Sequence, residues 1–116
     1  MKKYVALIGL VAISQTVAAS DFLKPQEIKA LLVGKKVLAR LTNGSLIDFQ
    51  MNADLTASTT AASGDTGNWR LSDDGYCVTW TKIRNGAETC FRVAKSLGNH
   101  WVIYPDGSRI QLTRID

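Results

Sequence analysis

The two cysteines of the chain, Cys77 and Cys90, are the residues that most directly suggest chemistry. Cysteine pairs form disulfides, bind metal ions or exchange thiols, and their spacing helps to distinguish these roles. These two are too far apart for a Cys-x-x-Cys redox motif, and His100 is the single histidine, so a zinc site is not indicated. A structural disulfide is the favoured interpretation, and no metal or cofactor is expected.

Catalytic patterns are missing from the sequence. His100 stands beside Trp101 without a nucleophile motif nearby, and there is no Gly-x-Ser-x-Gly element. The acidic pair Asp73-Asp74 precedes Gly75, which is typical of a turn. Walker-type and dinucleotide-binding glycine patterns do not occur. We therefore predict a protein that is not an enzyme, and an envelope-acting hydrolase is the weakest alternative.

Aromatic side chains are concentrated in the C-terminal half of the sequence. Packing in a core is one interpretation, because each ring buries a large area. A pocket is the other, since small β-barrels either fill with side chains or hold one small ligand. The sequence leaves both interpretations open. The candidate ligand-binding residues are Trp69, Tyr76, Trp80, Phe91, Trp101 and Tyr104.

The N-terminus has the layout of a secretory signal peptide. A positively charged start precedes an apolar run, and small residues precede Ser20. The run is too short to span a bilayer, and no cysteine follows the cleavage site, so no membrane anchor is expected after cleavage. We predict a cleaved signal peptide at 1–19, one domain at 20–116, and a periplasmic or secreted location. Such an oxidising compartment favours a Cys77–Cys90 disulfide.

The distribution of charge does not indicate nucleic-acid binding. The formal net charge is +4, but Lys2 and Lys3 belong to the predicted signal peptide, so the domain itself is less basic. Its remaining lysines and arginines are scattered along the sequence and form no cluster. We expect a monomeric domain with no nucleic-acid partner.

One segment, near 24–33, carries a helical pattern, in which Pro25 suits the first turn and Gly34 can end the helix. After Gly34 apolar and polar residues alternate, and turn residues interrupt the alternation. We predict a mainly β domain with one N-terminal helix: a small antiparallel β-barrel or a strongly curled meander sheet of about eight strands. The predicted strands are 36–41, 46–51, 55–60, 68–71, 76–83, 90–95, 100–104 and 109–115.

Two Asn-Gly pairs predict hairpin turns. At Asn43-Gly44 a two-residue turn would point the two strands' apolar residues to opposite faces. A three-residue loop with Gly44 in the left-handed region restores a common face and places Val37 opposite Phe49.

The second pair, Asn85-Gly86, predicts a two-residue turn that sets Trp80 opposite Phe91. In this register the apolar residues of both strands face inward and the cysteines face outward, about 13 Å apart along the ladder. A disulfide requires Cα atoms within about 7 Å. The tight turn and the disulfide therefore exclude each other. Export favours the disulfide, in a bulged or slipped hairpin. The predicted inward-facing residues are Tyr76, Val78, Trp80, Phe91 and Val93.

The order of these features resembles a group of small exported proteobacterial proteins that share a domain of unknown function. The resemblance rests on Gly67-Asn68-Trp69, on the run 74–80 with its Tyr-Cys-Val-x-Trp sequence, and on the Cys-Phe-x-Val sequence at 90–93. It implies a periplasmic or secreted β-rich domain with a cysteine pair. It implies no activity and no cofactor.

Together these observations favour a non-enzymatic binding module whose partner is a protein, a glycan or a small apolar ligand. An inhibitor of a cell-wall hydrolase such as lysozyme is the alternative, because the size, export and barrel shape are similar to those of the periplasmic lysozyme inhibitors.

Overall fold

The computed structural model describes residues 21–116, and the predicted signal peptide at 1–19 lies outside them. The described chain opens with a short helix, α1 (Pro25–Leu32), close to the predicted 24–33. The carboxylate of Glu27 accepts a hydrogen bond from the Lys24 N–H at 2.7 Å, which fixes the start of the helix. No helix within residues 21–116 has the length and hydrophobicity needed to cross a membrane.

Eight antiparallel strands follow α1 and close into a barrel. This confirms the predicted small β-barrel with one helix. Each strand pairs with the next along the chain and the last pairs with the first, so the sheet has no free edge. The strands are β1 (Lys36–Arg40), β2 (Leu46–Met51), β3 (Thr56–Thr59), β4 (Asp65–Leu71), β5 (Tyr76–Trp80), β6 (Glu88–Ser96), β7 (Asn99–Ile103) and β8 (Arg109–Ile115).

Because the strands alternate in direction, the loops gather at the two ends of the barrel. Loops 41–45, 60–64, 81–87 and 104–108 form one end, which we call the mouth. The other end, which we call the closed end, is covered by α1, whose Ile28 and Leu32 are fully buried. Both flanks of the helix are tied to strands there, since Phe22 bridges to Ala94 and Val33 bridges to Met51.

The β1–β2 hairpin has the predicted register. Val37 lies opposite Phe49, and loop 42–44 separates the strands. Gly44 has φ +89°, the left-handed conformation that a three-residue loop requires at this position. The N–H of Leu41 donates to the carbonyl oxygen of Ser45 at 2.8 Å and closes the loop.

The predicted two-residue turn between β5 and β6 is wrong. The longer loop 81–87 joins these strands, and Arg84 and Asn85 within it have left-handed φ angles of 57° and 55°. The N–H of Asn85 donates to the carbonyl oxygen of Lys82 at 3.0 Å. Asn85-Gly86 therefore turns the chain inside a wider loop.

The wider loop changes which residues face each other across the hairpin. The predicted Trp80–Phe91 pair does not form; Tyr76 lies opposite Phe91 and Cys77 lies opposite Cys90. Since the slip covers an even number of residues, each side chain keeps its predicted face. The cysteines are joined by a disulfide, with Cα atoms 3.9 Å apart, which confirms the predicted bond.

The disulfide lies on the outer face of the barrel beside an ion pair. Arg70 on β4 lies opposite Cys77 on β5, and its guanidinium reaches across β5 to Glu88 on β6. Two N–H groups of Arg70 donate to the two carboxylate oxygens of Glu88 at 2.9 and 3.0 Å. Cys77 is fully buried as a result of its position in the middle of this arrangement.

Gly67 and Trp69 bring β4 close to its neighbours. A Cβ atom at Gly67 would lie 2.2 Å from the carbonyl oxygen of Thr79, so β4 and β5 approach more closely there than any side chain allows. The indole N–H of Trp69 donates to the carbonyl oxygen of Asn52 at 2.8 Å. The Gly-x-Trp sequence thus joins two strands and ties the β2–β3 turn to the core.

Candidate functional site

A cavity of about 280 Å³ lies inside the barrel between the mouth and the closed end. Its wall consists of inward-facing strand residues together with loop residues at the mouth. None of the wall residues in the described part of the chain carries a charge. They are Leu41, Ile47, Phe49, Met51, Ala57, Thr59, Ala61, Ala62, Tyr76, Val78, Trp80, Ile83, Phe91, Val102, Tyr104 and Ile110.

Three aromatic rings form one continuous side of the cavity. The ring centroids of Tyr76 and Phe91 lie 5.2 Å apart with a tilt of 32°, and Phe91 meets Tyr104 edge to face at 5.0 Å. These are the separations and orientations that aromatic pairs prefer. The observed β5–β6 register is what places Tyr76 beside Phe91. The series runs from Tyr104 near the mouth to Tyr76, which begins β5 at the closed end.

The hydroxyl of Tyr76 is a polar group inside this apolar wall. Only 3% of the residue is exposed, and its hydroxyl makes no hydrogen bond to another residue among residues 21–116. The hydroxyl is not completely enclosed, because the one fully enclosed side-chain polar atom without a partner in this range is Ser72 Oγ. Burial, with a smaller contribution from Tyr104, raises the pKa of Tyr76 well above its usual value. The group therefore stays protonated at physiological pH and is available as a hydrogen-bond donor.

Loop 81–87 reaches over the mouth and is held there by Asp65. This residue begins β4 on the inner face, and one of its carboxylate oxygens accepts the backbone N–H groups of Lys82 and Ile83, both at 2.9 Å. The side chain of Ile83 enters the cavity wall. The guanidinium of Arg84 lies 5.7 Å from the ring centroid of Tyr104, a cation–π distance.

Burial and hydrogen bonding shift the pKa of Asp65 in opposite directions. Burial acts to raise the pKa of the carboxyl group, but hydrogen bonds from the backbone N–H groups of Ile83, Lys82 and Thr66 outweigh it. The net result is a pKa below the usual 3.8. The carboxylate is therefore ionised, and its hydrogen bonds to the loop intact, throughout the neutral and mildly acidic range.

The structure places the candidate aromatic residues in two groups. Tyr76, Trp80, Phe91 and Tyr104 line the cavity together.

The other two candidates lie elsewhere. Trp69 is buried nearer the closed end, where its indole N–H bonds to Asn52. Trp101 lies opposite Ala94 on the outer face, and the guanidinium of Arg109 is 5.2 Å from its ring centroid. Neither residue lines the cavity.

Sequence reasoning missed several wall residues. The inward faces of β1 and β2 were visible in the alternation, so Phe49 and Met51 could have been added to the candidate site. Ala61, Ala62 and Ile83 carried no such signal, because they lie in loops whose path the sequence pattern does not define.

Groups with metal-binding or acid–base character lie outside the cavity. Within residues 21–116, the one cluster of ligand atoms close enough to hold a metal is Cys77, Glu88 and Cys90, whose sulfurs are already joined. His100 lies at the closed end in a shallow groove beside α1. Burial, and then the positive charge of Lys95, lower the pKa of His100.

Comparison with known proteins adds no assignment. No family model, no curated protein and no solved structure matches this chain. The resemblance to exported proteins with a domain of unknown function therefore stays a prediction, and the cavity is the feature that bears on function.

Proposed function

We propose that this protein is a non-enzymatic binding module that holds a small, mainly apolar ligand inside its barrel. The observation that carries the proposal is the cavity of about 280 Å³ with an uncharged, largely apolar wall. Ligand sites are concave, apolar and lined by aromatic side chains, with a few polar groups. The cavity has each of these properties.

The cavity volume sets the size of the ligand. An engineered protein cavity of about 150 Å³ holds one benzene molecule. By that scale the present cavity accommodates roughly ten to twelve non-hydrogen atoms. Moving such a ligand from water into the barrel is favourable because apolar surface on both the ligand and the wall is removed from water.

The outer surface offers less support for a protein or glycan partner. Among residues 21–116, the exposed large apolar side chains are Leu46, Leu55 and Leu97. Leu46 is at the mouth, whereas Leu55 and Leu97 lie in turns on opposite sides of the closed end. They form no shared patch of the kind that marks a protein interface. The interior is therefore the favoured site.

We also propose that the protein works in the periplasm or outside the cell. The predicted signal peptide and the Cys77–Cys90 disulfide support this location, since disulfides persist in oxidising compartments. Expression of the full-length gene followed by N-terminal sequencing of the protein recovered outside the cytoplasm tests it. A sequence that begins at Ser20 is expected, and an uncleaved cytoplasmic protein would contradict the proposal.

Binding can be tested through Met51, because its side chain lines the cavity and it is the one methionine of the predicted mature chain. Protein labelled with ¹³C at the methionine methyl group is purified after export and titrated with indane, a bicyclic hydrocarbon of suitable size. The Met51 methyl resonance should shift and saturate. A resonance unchanged in an indane-saturated solution would show that the proposed function is wrong.

The matched control is Ala57→Leu, because Ala57 also lines the cavity and a leucine there extends into it. The variant should keep the circular dichroism spectrum of the wild-type barrel and lose the indane-dependent shift of Met51. If the variant binds indane as the wild type does, the ligand is bound elsewhere and the cavity is not the site.

A further inference from the structure

The polar groups of the cavity wall differ in whether they are already satisfied. The hydroxyl of Thr59 donates to the carbonyl oxygen of Asp48 at 2.5 Å and accepts the N–H of Ala61 at 3.0 Å. Trp80 and Tyr104 are only half-buried and lie near the mouth. Tyr76 is itself buried, and its hydroxyl makes no hydrogen bond to another residue within the described part of the chain. The hydroxyl is not completely enclosed, because the one fully enclosed side-chain polar atom without a partner there is Ser72 Oγ.

A hydroxyl beside apolar side chains has few hydrogen-bond partners, because those neighbours cannot accept its hydrogen bond. A phenylalanine at this position would keep the ring contact with Phe91 but could not donate a hydrogen bond. Tyr76 lines the cavity that can contain a ligand. A hydrogen-bond acceptor on the ligand would satisfy its hydroxyl.

The wall also limits the charge of the ligand. None of its described residues is ionised, so a charged group carried into the cavity would lose its hydration without meeting an opposite charge. Arg84, a cation at the mouth, lies 5.7 Å from the ring centroid of Tyr104. The neutral phenol of Tyr76 can donate to a carbonyl or ether oxygen but cannot neutralise a carboxylate.

We propose that the ligand is an uncharged, mainly apolar molecule with one hydrogen-bond acceptor such as a carbonyl, and that the Tyr76 hydroxyl recognises that acceptor inside the barrel. This inference rests on the proposed function, because it assigns the chemical class of the molecule that the same cavity holds. Tyr76 is thus a specificity-determining residue, and the apolar wall supplies most of the affinity.

The test compares three probes that share one ring system: indane, 1-indanone and indane-2-carboxylate. Affinities are measured with the exported wild-type protein by the Met51 methyl shift. The ketone should bind about three- to tenfold more tightly than the hydrocarbon, the range that corresponds to one additional hydrogen bond. The carboxylate should bind at least about tenfold more weakly than the ketone.

The variant Tyr76→Phe separates recognition from folding. It should fold with a melting temperature close to that of the wild type, bind indane unchanged, and bind the ketone no better than indane. Tyr104→Phe is the matched control, since it removes the same hydroxyl from the ring nearer the mouth and should keep the preference for the ketone.

The outcomes distinguish the inference from the function on which it rests. If no probe shifts Met51, the proposed function fails. If indane binds but the ketone has no advantage, or if the advantage survives in Tyr76→Phe or disappears in Tyr104→Phe, the cavity binds ligands and the role given to Tyr76 is wrong. A carboxylate that binds as tightly as the ketone overturns the inference that the ligand is uncharged.

Discussion

The carboxylate of Asp65 accepts the backbone N–H of Ile83 at 2.9 Å, and this hydrogen bond holds a mouth loop against the cavity. The two residues lie on different elements, the start of β4 and loop 81–87. The same carboxylate also accepts the N–H of Lys82. The shape of the mouth therefore depends on one acidic side chain that is far from the loop in sequence.

Replacing Asp65 by asparagine should loosen loop 81–87. The amide oxygen is neutral and accepts these N–H groups less strongly than a carboxylate does. We expect the melting temperature to fall by on the order of 5 °C and the amide hydrogens of Lys82 and Ile83 to exchange faster. Asp54→Asn is the control, because Asp54 makes a comparable contact with Thr56 at the closed end. Equal amide exchange at Ile83 in both variants would contradict the role of Asp65.

The contribution of Asp65 should depend on pH in a defined direction. Its pKa in the folded protein is below the usual 3.8, so the folded state favours the carboxylate. The stabilisation is complete above that usual value and is lost as the pH falls through the lower pKa of the folded protein. The difference in unfolding free energy between wild type and Asp65→Asn, measured in urea, should be constant from pH 7 to about 5 and shrink below about 4.

This difference measurement isolates Asp65 from other groups. The titration of His100, whose pKa burial and Lys95 lower, affects both proteins equally and cancels. A difference that already disappears near pH 6 would contradict the assignment to Asp65.

Gly67 should not tolerate a side chain. In Gly67→Ala the added Cβ would meet the carbonyl oxygen of Thr79 at 2.2 Å and the Cα of Trp80 at 2.9 Å, so β4 and β5 would have to separate. We expect a destabilisation of about 1–3 kcal/mol, measured by urea unfolding. Asn68→Ala, which changes the next residue on the opposite face, should have a much smaller effect. Similar losses in both variants would show that the close approach of the strands is not the cause.

The sequence predicted the barrel because half-buried strands alternate apolar and polar residues, and this alternation is visible in the sequence. It also predicted the β1–β2 register. There the apolar residues of both strands share the inner face only if the loop at Asn43-Gly44 has three residues. Val37 lies opposite Phe49 as expected from that loop. At this hairpin the apolar alternation and the turn residues predict the same register, so the local sequence was sufficient to predict it.

At the β5–β6 hairpin local information pointed to the wrong turn. Asn85-Gly86 is a strong two-residue turn signal, but the Cys77–Cys90 disulfide and the hydrogen bonds from loop 81–87 to Asp65 fix a longer loop. Both are contacts between residues distant in sequence. Turn preference carries no information about them, whereas the expected disulfide favoured the slipped hairpin that the structure shows.

The candidate site shows the same limit of local sequence information. Trp101 was selected for its ring, but its face follows from pairing opposite Ala94, which the sequence did not define. Tyr76, Trp80 and Phe91 line the cavity because an even-numbered slip of the β5–β6 hairpin leaves their faces unchanged, and Tyr104, directly after β7, lines it with them. The mouth residues Ala61, Ala62 and Ile83 depend on loop paths and were not visible at all.

The disulfide should stabilise the barrel without shaping the cavity, because it lies on the outer face. In the double variant Cys77→Ala, Cys90→Ala we expect a loss of about 3 kcal/mol, the chain-entropy value for a loop of this length. That loss corresponds to a fall in melting temperature of roughly 10–20 °C. The wild-type protein treated with a thiol reductant should lose a similar amount of stability, which separates the effect of the bond from that of the side chains.

Below the melting temperature the double variant and the reduced wild-type protein should both bind indane with the affinity of the oxidised protein. Weakened binding would mean that the register set by Cys77 and Cys90 is also needed to keep Tyr76 beside Phe91.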